Sequence, residues 1–275
     1  MRLKNCTFDA RYAQIACLSI LLGFGGISGV ITIALLIGFV IISTALAVEY
    51  FASSRNWNQL PSALISALSL CLLLRTDSAL FAAAAALLAI SSKYLLRHAG
   101  QHIFNPTALA LVITTCLFDG AWLSPGQWGN TFHLLILVAF AGLFVTGLVT
   151  RIDLSLSFLF CYSALLLSRA IYLGDPLAIP LHQLTNGALL IFTFFMISDP
   201  RTSPHSRPGR LIFGAVVSVV AFIIHFKFYY QSAPILALVL SAPLVPLLNQ
   251  RFPGARFKWP RPYLPTQRST GVNHA

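Results

Sequence analysis

Residues 194–214 read FFMISDPRTSPHSRPGRLIFG, a polar, basic, proline-broken stretch between two long apolar runs. Asp199, Arg201, Arg207 and Arg210 fall within it, in a chain where only 9% of residues are charged. A soluble domain keeps about 25% of its residues charged, because its surface meets water. Here 57% of residues are hydrophobic and the mean hydropathy is +0.80, so most of the surface must meet something apolar. Residues 194–214 therefore connect membrane helices, and the chain reads as an all-α integral membrane protein. A soluble protein with a large core is excluded, because no polar face of period 3.6 survives along the long runs.

Working outward from this connection, apolar runs cover residues 61–75, 77–95, 106–119, 131–150, 154–173, 181–198, 211–227 and 232–249. A bilayer core takes about 20 apolar residues per helix, fewer where a helix is re-entrant. Residues 13–52 are too long for one span, and GFGGISG at Gly23–Gly29 predicts a tight turn between two helices there. The count is then about ten transmembrane helices. The third of each half, 61–75 and 181–198, is short, and the fifth opens near Pro106 or Pro234. Two inverted five-helix repeats are the architecture this suggests. Residues 1–252 form the polytopic membrane domain, and residues 253–275 a basic, proline-rich cytoplasmic tail.

Charge tests the count. On this layout fifteen of the 18 Lys and Arg residues face one side, and only Arg75, Arg169 and Lys227 face the other. Positive charge marks the cytoplasmic side, which places both termini in the cytoplasm of a bacterial-type inner membrane. The net charge of +11 follows span ends and the tail, so it addresses the lipid bilayer and not nucleic acid. Five scattered cysteines contain no CxxC pair and indicate neither a disulfide framework nor a zinc site. Basic residues precede the first apolar run without a small-residue cleavage site, so that run reads as a retained span.

Candidate chemistry lies at the short spans. Ser62, Ser66 and Ser69 follow i, i+4, i+7 spacing and line one helix face, and Gln183, Asn186 and Thr193 are also compatible with one face. Polar groups at that depth need partners. Serines alone read first as helix-packing residues; the larger amides cost more to bury unpaired. Asn105-Pro106 is a helix start, with Asn capping orphan N–H groups and Pro at the first helical position. Asp199-Pro200 should end the short eighth span, with Asp199 closing an Asx turn or pairing with Arg201, Arg207 or Arg210. His133, His182 and His225 fall near outer span ends, and His98, His102 and His205 on the inner side. No two show the helical spacing of bis-histidine haem ligands. No carboxylate is expected at mid-membrane, which argues against a pump built on buried acids.

FDARYAQIA (Phe8–Ala16), PSALISALSL (Pro61–Leu70), HIFNP (His102–Pro106) and SDPRTSP…GRLIFG occur in the order found in the NqrB/RnfD family, which this chain resembles. The resemblance implies an internally repeated ten-helix subunit of a sodium-pumping quinone reductase or Rnf-type complex, carrying flavin and moving electrons. Ser62, Ser66, Asn105, Asn186, Asp199 and Thr202 are the expected cofactor-binding residues, for riboflavin or FMN held noncovalently. The family attaches covalent FMN to a threonine in an outer loop between its fifth and sixth helices. The corresponding FDGAWLSPGQWGN, Phe118–Asn130, has no threonine, and Thr131 lacks the motif context, which argues against covalent FMN. The shortened loop resembles a stand-alone branch that includes the UnbU-type proteins associated with some enediyne clusters.

The sequence thus points to a membrane electron-transport subunit working with redox partner subunits. Two other readings stand beside it. One is a small-solute transporter or channel on the same inverted-repeat fold, and the other a scaffold anchoring a partner enzyme.

Overall fold

The computed structural model describes residues 9–29, 33–123, 132–230, 232–257 and 259. Its helices are α1 (Ala10–Ile27), α2 (Leu35–Ala52), α3 (Leu60–Leu73), α4 (Ala79–Leu95), α5 (Pro106–Leu117), α6 (Phe132–Leu148), α7 (Ile152–Leu173), α8 (Ala178–Leu184), α9 (Gly187–Ile191), α10 (Arg207–Phe228), α11 (Ala233–Ser241) and α12 (Leu244–Arg251). A single π-turn, Phe192–Met196, continues α9.

By length and composition α1, α2, α7 and α10 can each cross a membrane. The pair α8 and α9 with its π-turn, bent by 48°, and the pair α11 and α12, bent by 54°, each qualify as one broken span. The exterior explains the composition: Ile27 and Leu35 are 91% exposed and Phe160 75%, which only a lipid environment tolerates in such number. The protein is a multi-pass all-α membrane protein, as its sequence predicts.

Two expectations need correction. α1 runs straight through Gly23, Gly25 and Gly26, and the chain turns only at Ser28 and Gly29, whose φ is +69°. Continuous helix satisfies every backbone group inside an apolar phase, which outweighs the conformational cost of glycine there. The second is the eighth span, which is broken in its middle. Asn186 does not share a helix face with Gln183 and Thr193, because it caps a new helix, its Oδ1 accepting from Ala188 N at 2.9 Å.

The sequence also hid four short strands. β1 (Leu74–Thr76) pairs antiparallel with β4 (Ala121–Leu123), closing the molecule at one end. At the other end β2 (Arg97–His98) and β3 (Gln101–His102) form a hairpin. Its turn residues Ala99 and Gly100 both take positive φ, 48° and 76°, as a two-residue hairpin turn demands. The pairing sets Arg97 directly across from His102.

Packing relies on small residues. Ser218 Oγ donates to Phe158 O across the α7–α10 crossing at 2.9 Å, one turn from Gly214. Gly142 in α6 lies so close to Phe194 that an added Cβ would overlap its side chain, whereas Gly147 faces nothing within 4 Å. Gly142→Ala is expected to destabilise the protein by about 1–3 kcal/mol through overpacking. Gly147→Ala should be neutral or mildly stabilising. Thermal unfolding of the two variants in detergent checks the difference.

Candidate functional site

Three discontinuities meet at the basic end of the molecule. α3 begins at Leu60, α5 begins at Pro106, and the broken eighth span finishes at its π-turn. Asn105 joins the last two. Its Oδ1 accepts from Ala108 N at 3.0 Å, capping α5, and its Nδ2 donates to Met196 O at 3.1 Å. The π-turn bonds Ile197 N to Phe192 O at 3.0 Å and shifts the ladder by one residue. Asn105 therefore takes up one main-chain group at each of two interruptions.

Between these elements lies a chamber of about 60 Å³ lined by Ser62, Ser66, Ser69, Asn105, Phe195 and Asp199 among others. A wider mouth of about 230 Å³ adjoins it, walled by Glu49, Ser53, Tyr94 and Arg97. Arg11, Ser62, Lys93, His102, Arg201 and Trp259 line both spaces. Four of the six candidate residues, Ser62, Ser66, Asn105 and Asp199, thus border one cleft. Thr202 is buried behind it, its hydroxyl bonded to Asp199. Asn186 lies elsewhere, in a pocket of about 100 Å³ near the opposite end, with Leu73, Gln183 and His225.

The electrostatics centre on two ion pairs. Arg11, in the first turn of α1, binds Asp9 at 2.5 Å and donates to Asn58 O at 2.9 Å. Lys93 binds Glu49 at 3.3 Å with both side chains almost fully buried, and Tyr94 donates to the other Glu49 oxygen at 2.7 Å. Lys93 also reaches Ser62 Oγ at 3.3 Å. Asp199 does not pair with Arg210, whose guanidinium binds Asp153 at 2.6–2.9 Å. It instead accepts from Arg201 N at 2.9 Å, closing the Asx turn, and burial pushes its pKa up.

His102 has a defined tautomer. Its Nδ1 lies 2.9 Å from Lys93 O, an atom that can only accept, so Nδ1 carries the proton. Burial, reinforced by the charges of Arg201, Lys93 and Arg97, pushes its pKa down to about 4. The ring is neutral at physiological pH and its Nε2 is an acceptor. The site therefore offers an acceptor imidazole, serine hydroxyls, a buried ammonium and a carboxyl group around one space.

Comparison with known proteins follows this geometry. Residues 116–258 match the NQR2, RnfD, RnfE family, more than half of the chain. The chain belongs to that family. Its relatives include proteins named as the RnfD component of an ion-translocating oxidoreductase complex. One from Stutzerimonas stutzeri is 36% identical over 131 residues, a match that covers 46% of this chain and 36% of that protein. The Pectobacterium atrosepticum protein is 32% identical over 124 residues, 45% of this chain and 34% of its own length. The Cronobacter sakazakii protein is 29% identical over 152 residues, 54% and 41% of the two chains. These matches span between about a third and two-fifths of the relatives' length. The family match includes SDPRTSP…GRLIFG; HIFNP lies before its start.

Several site residues escaped the sequence reading. Glu49 and Lys93 are 44 positions apart with no local signal linking them; only the expense of burying either charge alone could have suggested a pair. Arg151, 4% exposed, has its pKa lowered to about 10 by burial and by Arg210, and its Nε has no hydrogen-bond partner. The SPGQWG stretch and Thr131 lie outside the described residues.

Two outcomes are expected. Glu49→Leu, which strands Lys93 in an apolar site, should cost about 3–5 kcal/mol, and adding Lys93→Met should restore most of it. Unfolding titrations of the single and double variants measure this coupling. His102, whose folded pKa lies below the ordinary 6.5, binds fewer protons folded than unfolded between those values. Its contribution to stability is therefore present above pH 6.5 and lost as pH falls towards 4. Imidazole nitrogen shifts should stay at neutral values down to about pH 5, and a midpoint near 6.5 would contradict the burial argument.

Proposed function

We propose that the basic-end cleft binds a flavin noncovalently, and that the protein passes electrons across or along a bacterial inner membrane with redox partner subunits. The observation that carries this reading is the convergence of Ser62, Ser66, His102, Asn105, Lys93 and Asp199 on one space where two helices start and a third is interrupted. Membership of a family whose relatives are named as oxidoreductase-complex subunits supports it. In this reading the helical segments form ten crossings in two inverted repeats, with both termini in the cytoplasm.

The residues fit such a group in kind. A flavin presents a polar edge of carbonyl oxygens and ring nitrogens, and the cleft supplies both donors and an acceptor for it. The fit in size requires both spaces. Small-molecule sites occupy about 300–1,000 Å³, so the inner chamber alone is too small and chamber plus mouth reach the lower end. Asn105 would offer little, since its oxygen and one N–H already serve the backbone. Bound flavin would supply one- and two-electron chemistry. The chain's own part is to hold it, with Lys93 placing positive charge beside the ring edge and His102 Nε2 accepting a ring N–H. Covalent attachment finds no threonine between Phe118 and Asn130.

The solute-transport alternative draws less support. Ser69 lines the cleft and Leu73 the opposite pocket, and between them Leu70, Cys71 and Leu72 are at most 1% exposed. That turn of α3, about 6 Å long, is filled with side chains. Such packing separates two sites closely enough for electrons while obstructing a solute.

Protein purified gently in mild detergent should show flavin absorbance, or acquire it when incubated with riboflavin or FMN. Ser66→Leu, which fills the inner chamber, should weaken flavin binding at least about tenfold with little change in melting temperature. Wild-type protein that takes up neither flavin contradicts the proposal.

A further inference from the structure

The mouth of the cleft carries more positive charge than its acids can balance. All seven acidic residues of the chain are among the described residues. Asp9 is bound to Arg11 and Glu49 to Lys93. Asp153 is bound to Arg210 and Asp175 to Arg169. Asp77 and Asp119 flank β1 and β4 at the far end. Only Asp199 remains, in the inner chamber, where its carboxylate already accepts from Arg201 N and the Thr202 hydroxyl.

Two guanidiniums at the mouth are left over. Arg97 donates through Nε to Lys93 O and lies 4.8 Å above the Tyr94 ring, which leaves its outer N–H groups without acceptors among the described residues. The Arg201 guanidinium makes no hydrogen bond among the described residues and lines both chamber and mouth. Burial lowers its pKa, and repulsion from Arg11, Arg97 and Arg256 adds to this against the pull of Asp199. Nearby anionic charge would relieve that repulsion. Planar guanidiniums with free N–H pairs match a phosphate group in charge and in bidentate geometry. Neutral His102, across the hairpin from Arg97, adds no further charge.

We infer that Arg97 and Arg201 form a phosphate site at the cleft mouth. This rests on the flavin reading only for its preferred source, the phosphate of FMN; the other source of the same chemistry is an anionic lipid headgroup. The site makes the cleft selective for a phosphorylated ligand, which the uncharged inner serines cannot do.

The test uses the full chain in phosphatidylcholine nanodiscs at low salt, with riboflavin and FMN binding followed by flavin fluorescence and inorganic phosphate by equilibrium dialysis. FMN should bind about 10- to 100-fold more tightly than riboflavin, as expected for charge-assisted hydrogen bonds. Arg97→Gln with Arg201→Gln should abolish that advantage, leave riboflavin binding unchanged and remove saturable phosphate binding. The Lys versions of both, which keep the charge but lose the fork, should retain a reduced advantage. Equal binding of the two flavins, unaffected by the double variant, overturns the phosphate site and leaves the flavin cleft standing. Saturable phosphate binding lost in the double variant, with neither flavin bound, supports the site and overturns the flavin cleft. No binding of any of the three overturns both. Repeating the titrations with phosphatidylglycerol separates the sources. Loss of the FMN advantage in wild type there assigns the site to the lipid headgroup, and its persistence assigns it to the cofactor.

Discussion

The cleft depends on Asn105. Inside a bilayer every backbone N–H and C=O must find a partner within the protein, so an interrupted helix survives only where something replaces its lost bonds. Asn105 does this at two interruptions, capping α5 through its oxygen and taking the Met196 carbonyl through its nitrogen. With those groups satisfied, the start of α5 and the end of the π-turn can stand side by side at the head of α3. The space between them is the chamber. Its size and its polar lining follow from where the helices stop.

Charge completes what the backbone begins. Lys93 and Glu49 are both almost fully buried, which is tolerable only because each neutralises the other and Tyr94 and Ser62 take up remaining bonds. This pair ties α2 to α4 beside the cleft and sets an ammonium on its wall. The hairpin then brings His102 back over Lys93 O, which fixes its tautomer. The positive excess concentrates at one end of the molecule, where a membrane protein of this charge pattern meets the cytoplasm.

Much of the fold was legible in the sequence because membrane burial writes itself in long apolar runs. Each such run corresponds to a helical segment, and Asn105-Pro106 marked a helix start correctly because capping is local chemistry. What failed was also physical. The glycines at Gly23–Gly26 suggested a turn, yet a helix in lipid keeps its hydrogen bonds and the break moved to Ser28 and Gly29. The break at Asn186 was missed because an apolar run gives no sign of where its helix divides. Ser62, Ser66, Asn105 and Asp199 were chosen as polar residues at short spans, and they border one cleft. Asn186 was chosen on the same rule and lies in the other pocket. Glu49 with Lys93, and Arg97 with His102, depend on tertiary folding and on a hairpin too short to register as a period.

The most direct measurement is a cryo-electron microscopy map of the flavin-loaded protein in nanodiscs. Ring-shaped density bordered by Ser66, His102 and Lys93, with any phosphate lobe next to Arg97 and Arg201, is the result expected. Density only in the pocket of Asn186 and His225, or a cleft closed by side chains under saturating flavin, would contradict the account.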